Sequence, residues 1–178
     1  MKLSKALLLS AGLMATASAT QAKQVMCVFD LVGKSGDVYT LMKDYQLAAK
    51  SWGADIELRV NQNEAVIAED FKAGKCDGIS VTGMRGRQFN NFTGSLDAIG
   101  AIPDVNLAVK VMQGLSTPAF AKYMTSGQYE VVGVIPVGDA YLMVNDRSIN
   151  TVAKAAGKKI AVLDYDQAQK IMVQQIGA

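Results

Sequence analysis

Apolar positions along this chain fall into short runs and stripes, and their spacing predicts the elements. Gln24 to Asp30 is a brief apolar run without alternation, as expected of a strand buried on both faces. From Ser35 to Trp52, the residues Val38, Leu41, Met42, Tyr45, Ala48, Ala49 and Trp52 recur every three or four positions, and Gly53 stops the pattern. That spacing predicts an amphipathic helix. From Ala54 to Val60, Ile56, Leu58 and Val60 alternate with Asp55, Glu57 and Arg59, so this strand has one wet face and lies near a sheet edge. Asn63 can cap a second helix running through Lys72 and closed by Gly74, and Cys76 to Thr82 reads as a third strand. Alternating strands and helices imply an α/β fold with a mainly parallel sheet, right-handed crossovers and helices on both faces. A strand order of 2-1-3 would make the first and third strands neighbours.

The second half is less regular. Arg85 to Ile102 is interrupted by Gly86, Gly94 and Gly100 and reads as a loop with short helical turns. Asp104 can cap a helix to about Met124, which Pro118 should kink or divide after Ser116. Tyr129 to Ile135 and Ala140 to Val144 are rich in Val, Ile and Tyr and are joined by a turn-forming Pro136-Val137-Gly138-Asp139, so they are expected as adjacent strands. A short helix from Ser148 to Ala156, a buried strand from Lys159 to Leu163 and a helix from Asp166 to Ile176 complete the pattern. The last helix reaches Gly177-Ala178 with no strand after it. A longer protein cut after a newly opened unit is the expectation, and a complete small domain is the alternative.

The N-terminus changes the picture. Lys2 and Lys5 precede an apolar run from Ala6 to Ala15, and Ala17-Ser18-Ala19 supplies the small-x-small pattern of a signal peptidase site. Residues 1–22 are therefore expected to be a signal peptide, cleaved after Ala19 or Ala22; the run is too short for a membrane span of about 20 residues. Without Lys2 and Lys5 the chain keeps 16 basic and 16 acidic residues and is formally neutral. A neutral chain without a basic run argues against nucleic acid as a partner. Half the residues are apolar, enough for one compact domain. Export also bears on the two cysteines, Cys27 and Cys76. A bridge between them is the natural reading in an oxidising compartment, with two buried free thiols as the alternative.

Catalytic chemistry finds little support. Gly33-Lys34-Ser35 sits between a strand and a helix like a phosphate loop, but Val28 stands where that motif needs its first glycine. The turn is read instead as a βα connection whose helix start, at Ser35, could receive an anionic group. The chain contains no histidine, which removes the commonest general base and most transition-metal sites. No cofactor, metal site or catalytic residue is expected. The most suggestive segment is Thr82-Gly83-Met84-Arg85-Gly86-Arg87, because ligands of parallel sheets bind at the carboxyl ends of strands. Arg85 and Arg87 could offer guanidinium forks to an anionic group there, with Thr82 at the head of the loop. Asp30 ends the first strand at the same edge and could hold an amine or hydroxyl. Nine scattered methionines are assigned to packing.

Four stretches carry a family resemblance: Cys27-Val28-Phe29-Asp30 through Gly36, Gly74-Lys75-Cys76-Asp77-Gly78, Ala101-Ile102-Pro103, and Gly157-Lys158-Lys159-Ile160-Ala161-Val162. In their order they resemble AdeT-like solute-binding components of the periplasmic type II class and, more distantly, the DctP-like receptors of TRAP transporters. The resemblance implies a protein about twice this length, with two α/β lobes joined by crossing strands and the ligand held between them. It implies a first lobe over 23–144, a crossing strand from Tyr141 to Asn145 with Tyr141 at the ligand, and the start of a second, truncated lobe over 145–178. It implies a periplasmic, non-enzymatic protein that captures a small polar solute for a membrane transporter subunit. A periplasmic accessory component of a drug efflux system is the alternative. One departure stands out: Ala161 replaces the arginine with which DctP-like receptors clamp a substrate carboxylate.

Overall fold

The computed structural model describes residues 23–98, 100–138, 141–164 and 166–178. The expected signal peptide and Ala140, the start of the expected strand at 140–144, lie outside them. The first five elements are β1 (Gln24–Phe29), α1 (Asp37–Lys50), β2 (Ile56–Asn61), α2 (Glu64–Lys72) and β3 (Gly78–Ser80). They form a parallel sheet in the order β2-β1-β3. The chain steps from β1 to one neighbour and then across β1 to the other, so right-handed crossovers set α1 and α2 on opposite faces. The mixed α/β class agrees with the spacing of the sequence, and the structure supplies the order 2-1-3 under which the first and third strands are neighbours.

β1 is the centre of this arrangement. It aligns Cys27 with Arg59 of β2 on one side and with Ile79 of β3 on the other. Its side chains alternate between the faces. Cys27 joins Ile67 of α2 and Cys76 in a buried cluster against which Val25, Phe29, Phe71, Ile79 and Val81 pack. Val28 points the other way and is fully buried on the side of α1, whose Met42 and Ala49 are also buried. Cys27 and Cys76 form a disulfide, with Cα atoms 5.9 Å apart. Asp77, the next residue, clips β3 to β1: its carboxylate accepts the Val25 N–H at 2.7 Å and its own N–H donates to the Val25 carbonyl at 2.8 Å.

The remaining elements are α3 (Gly83–Gly86), α4 (Thr93–Leu96), α5 (Val105–Leu115), α6 (Ala121–Met124), β4 (Thr125–Ser126), β5 (Tyr129–Glu130), α7 (Val152–Ala155) and α8 (Gln167–Gln175). Asn63 caps α2 and Asp104 caps α5 through their side chains, as the sequence predicts. The long helix expected from Asp104 stops at Leu115, and Pro118 opens a 3-10 turn before α6. Phe71 of α2, Phe89 and Tyr129 of β5 meet edge to face or tilted with ring centroids 5.0 to 5.6 Å apart, which ties the β4–β5 hairpin to the sheet layer.

Three expectations are corrected. The strand at Tyr129–Ile135 shrinks to β5, paired antiparallel with β4; Tyr141–Val144 and Lys159–Leu163 form no strand. Apolar runs become strands only where a neighbour takes up their backbone N–H and C=O groups, and no described strand pairs with these. Val132, Val137, Tyr141, Leu142 and Met143 are accordingly exposed, at 73 to 87 % of their surface. The inward face of α1 is also narrower than its apolar pattern suggests: Leu41 and Tyr45 are part-exposed, and Trp52 lies past the helix end with 69 % of its surface in solvent.

The bridge closes a chain segment of 49 residues, so in the chain-entropy account it contributes about 4 kcal/mol. Replacing Cys27 and Cys76 together by Ala is expected to lower the unfolding free energy by about 2 to 4 kcal/mol. Urea titrations of wild type with and without reductant, beside the double variant, check this. Equal midpoints in all three would show that the bridge adds nothing.

Candidate functional site

The carboxyl edge of the sheet is where sequence reasoning looked for a ligand, and much of that edge is occupied by the protein's own groups. Asp30 follows β1 directly and is 5 % exposed. Its carboxylate accepts the Val32 N–H at 2.9 Å and the Tyr39 N–H at 3.0 Å, which places it in the first turn of α1. The Tyr39 N–H draws the carboxyl below its ordinary value most strongly; burial opposes this, and the Val32 and Val38 N–H groups lower it further. The partial positive charge of this helix start therefore already faces an anion from within the chain. Gly36 makes the arrangement possible, since a Cβ there would run into the Asp30 carboxylate. Ser35 ends a 3-10 turn beside this structure and is exposed.

A second internal anion organises the loop after β3. Glu64, the first residue of α2, is 5 % exposed, and its carboxylate accepts the Thr82 N–H at 2.5 Å and the Thr82 hydroxyl at 3.2 Å. The Arg85 Nε lies 3.8 Å from the same carboxylate, and the Arg85 side chain is 14 % exposed. Thr82 also accepts the Arg85 N–H at 3.2 Å and so caps α3. Thr82 and Arg85 are thus drawn toward α2. Glu64 escapes sequence reasoning because an acid in a first helical turn reads as an ordinary favourable end charge.

Arg87 goes elsewhere. It is exposed, and its stem lies against Gly94 so closely that a Cβ at that position would collide with it. It lines a cleft of about 230 Å³ together with Met84, Gly94, Asp97 and Ala98 on one wall and Asp166, Ala168, Gln169 and Met172 of α8 and its cap on the other. Asp97 accepts the Met84 N–H at 2.9 Å, and Asp166 caps α8 by accepting the Ala168 and Gln169 N–H groups at 3.0 and 3.1 Å. A second hollow of about 180 Å³ lies between the end of α5, Met124 and the extended residues Val131–Val134. Of the six expected ligand positions, Asp30, Ser35, Thr82, Arg85, Arg87 and Tyr141, the cleft contains Arg87; Tyr141 lines neither hollow. Among the described residues no group of three or more Cys, Asp or Glu side chains is arranged to hold a metal ion.

A three-stranded parallel sheet flanked by helices makes this a mixed α/β domain, a class in which ligands commonly bind at the carboxyl ends of the strands. The chain belongs to the family described as solute-binding protein AdeT 1/2, whose model matches residues 46–178. It is 56 % identical over 150 residues to "Probable solute-binding protein AdeT1" of Acinetobacter baumannii, a match covering 84 % of this chain and 49 % of that protein. It is 36 % identical over 85 residues to "Probable solute-binding protein AdeT2" of the same organism, covering 48 % of this chain and 36 % of the relative. The chain thus matches about half of the first relative's length and about a third of the second's. No solved structure matches it.

The Asp30 carboxyl is depressed in the fold, so it contributes stability above its ordinary value of 3.8, and that contribution is lost as pH falls through the lower folded value. Asp30→Ala is expected to cost about 2 kcal/mol at pH 7, with the gap from wild type narrowing below about pH 4 in urea titrations. Gly36→Ala should destabilise wild type more than it destabilises Asp30→Ala, because the obstacle to its Cβ is then gone. Additive effects would refute the pairing.

Proposed function

We propose that the chain is an exported solute-binding protein, which captures a small polar solute and presents it to a membrane transporter of the TRAP-like kind, without catalysis. The observation that carries this reading is the cleft: one wall comes from the segment after β3 and the other from α8, as if two lobes met across a ligand. Residues 23–144 are then the first lobe and 145–178 the opening of a second. Family membership supports solute binding. The Cys27–Cys76 bridge supports an oxidising compartment, hence the periplasm and a cleaved signal peptide over 1–22. Among the described residues no helix is long and apolar enough to cross a membrane. A cleft of about 230 Å³ is smaller than the roughly 300 to 1,000 Å³ of sites for drug-sized molecules, which favours a metabolite over an efflux substrate.

Two experiments test this. The exported product, sequenced from its N-terminus, is expected to begin at Thr20 or Lys23; an intact Met1 would contradict the leader. Equilibrium dialysis against a mixed metabolite pool, read by mass spectrometry, should retain a solute on wild type. Ala168→Trp, at an exposed position on the cleft wall, should abolish that retention while leaving the thermal unfolding midpoint unchanged. Equal retention by both proteins would remove the cleft from the function.

A further inference from the structure

Charge in the cleft narrows the solute beyond its size. Among the described residues the lining carries one cation, Arg87, and two carboxylates, Asp97 and Asp166. Among the described residues no carboxylate forms an ion pair with Arg87, whereas Arg85, two positions earlier, is taken up by Glu64. Asp97 receives the Met84 N–H on one oxygen, and Asp166 receives both of its N–H groups on one oxygen. The second oxygen of each accepts no hydrogen bond from a described residue. Met84 and Met172 supply soft apolar wall between these polar groups.

A site of this composition discriminates by sign. A dianion would satisfy Arg87 but meet two carboxylates of its own charge. A simple amine would satisfy a carboxylate and make no use of Arg87. A molecule carrying both signs pairs with both.

We infer that the solute is a small zwitterion, its anionic group held by the Arg87 guanidinium, its ammonium by Asp97, and its body laid against Met84 and Met172. This rests on the cleft being the solute site. Arg87 and Asp97 are then the specificity residues, and Gly94 is a positioning residue that leaves room for the Arg87 stem.

The test is calorimetric titration of the whole chain with alanine, methionine, glutamine and arginine, with their N-acetyl derivatives, with the amines that lack the carboxylate, and with succinate. At least one amino acid is expected to bind, and its N-acetyl and decarboxylated forms to bind at least tenfold more weakly. Arg87→Gln should weaken the amino acid at least tenfold and erase its advantage over the amine; Asp97→Asn should erase its advantage over the N-acetyl form. Both residues are exposed, and unchanged thermal midpoints confirm that the variants fold. Tighter binding of succinate, of an N-acetyl compound or of an amine overturns the zwitterion while solute binding stands. Heat from none of the four classes overturns both.

Discussion

Everything in the sheet layer depends on β1 being used on all four sides. Its backbone pairs with β2 on one edge and β3 on the other, while its side chains are covered by α1 on one face and α2 on the other. In the middle of the strand, at Cys27 and Val28, no side is open to water, so those residues must be apolar or internally paired. Cys27 meets that demand with a disulfide to Cys76, and Val28 meets it by complete burial. The same constraint fixes where the carboxyl edge falls. Asp30 lies one residue past β1, at the first point where the chain can turn.

Two buried carboxylates then decide what that edge can offer a ligand. Asp30 answers the helix start of α1, and Glu64 gathers Thr82 and draws Arg85 inward. Both are the protein's own solution to charges and N–H groups that would otherwise need an outside partner. Their effect is subtractive: of the polar residues at the edge, Arg87 remains directed to the cleft. Two arginines that look interchangeable in the sequence thus have different employment, set by which one lies within reach of α2.

The later part of the chain shows the converse of the β1 constraint. Its Val-rich and Ile-rich runs have the composition of strands, yet many of their apolar side chains, Val132, Leu142 and Met143 among them, lie in solvent, and no described strand stands beside them. Strand composition is a fit to a half-buried, paired surface, and without that surface it determines nothing.

The sequence by itself determined the β1-α1-β2-α2-β3 progression, the caps at Asn63 and Asp104, the break at Pro118 and the placement of the two cysteines. These are written in periodicity and capping chemistry within some ten residues of each element, so they are legible without neighbours. Only the tertiary structure decided that Asp30 and Arg85 are engaged inward, that Trp52 faces water, and that Asp97 and Asp166 share a cleft with Arg87. The physical reason is range. A helix or its cap is fixed by residues a turn away, whereas the partner of a charge at a sheet edge is chosen by whichever distant element the fold carries alongside it.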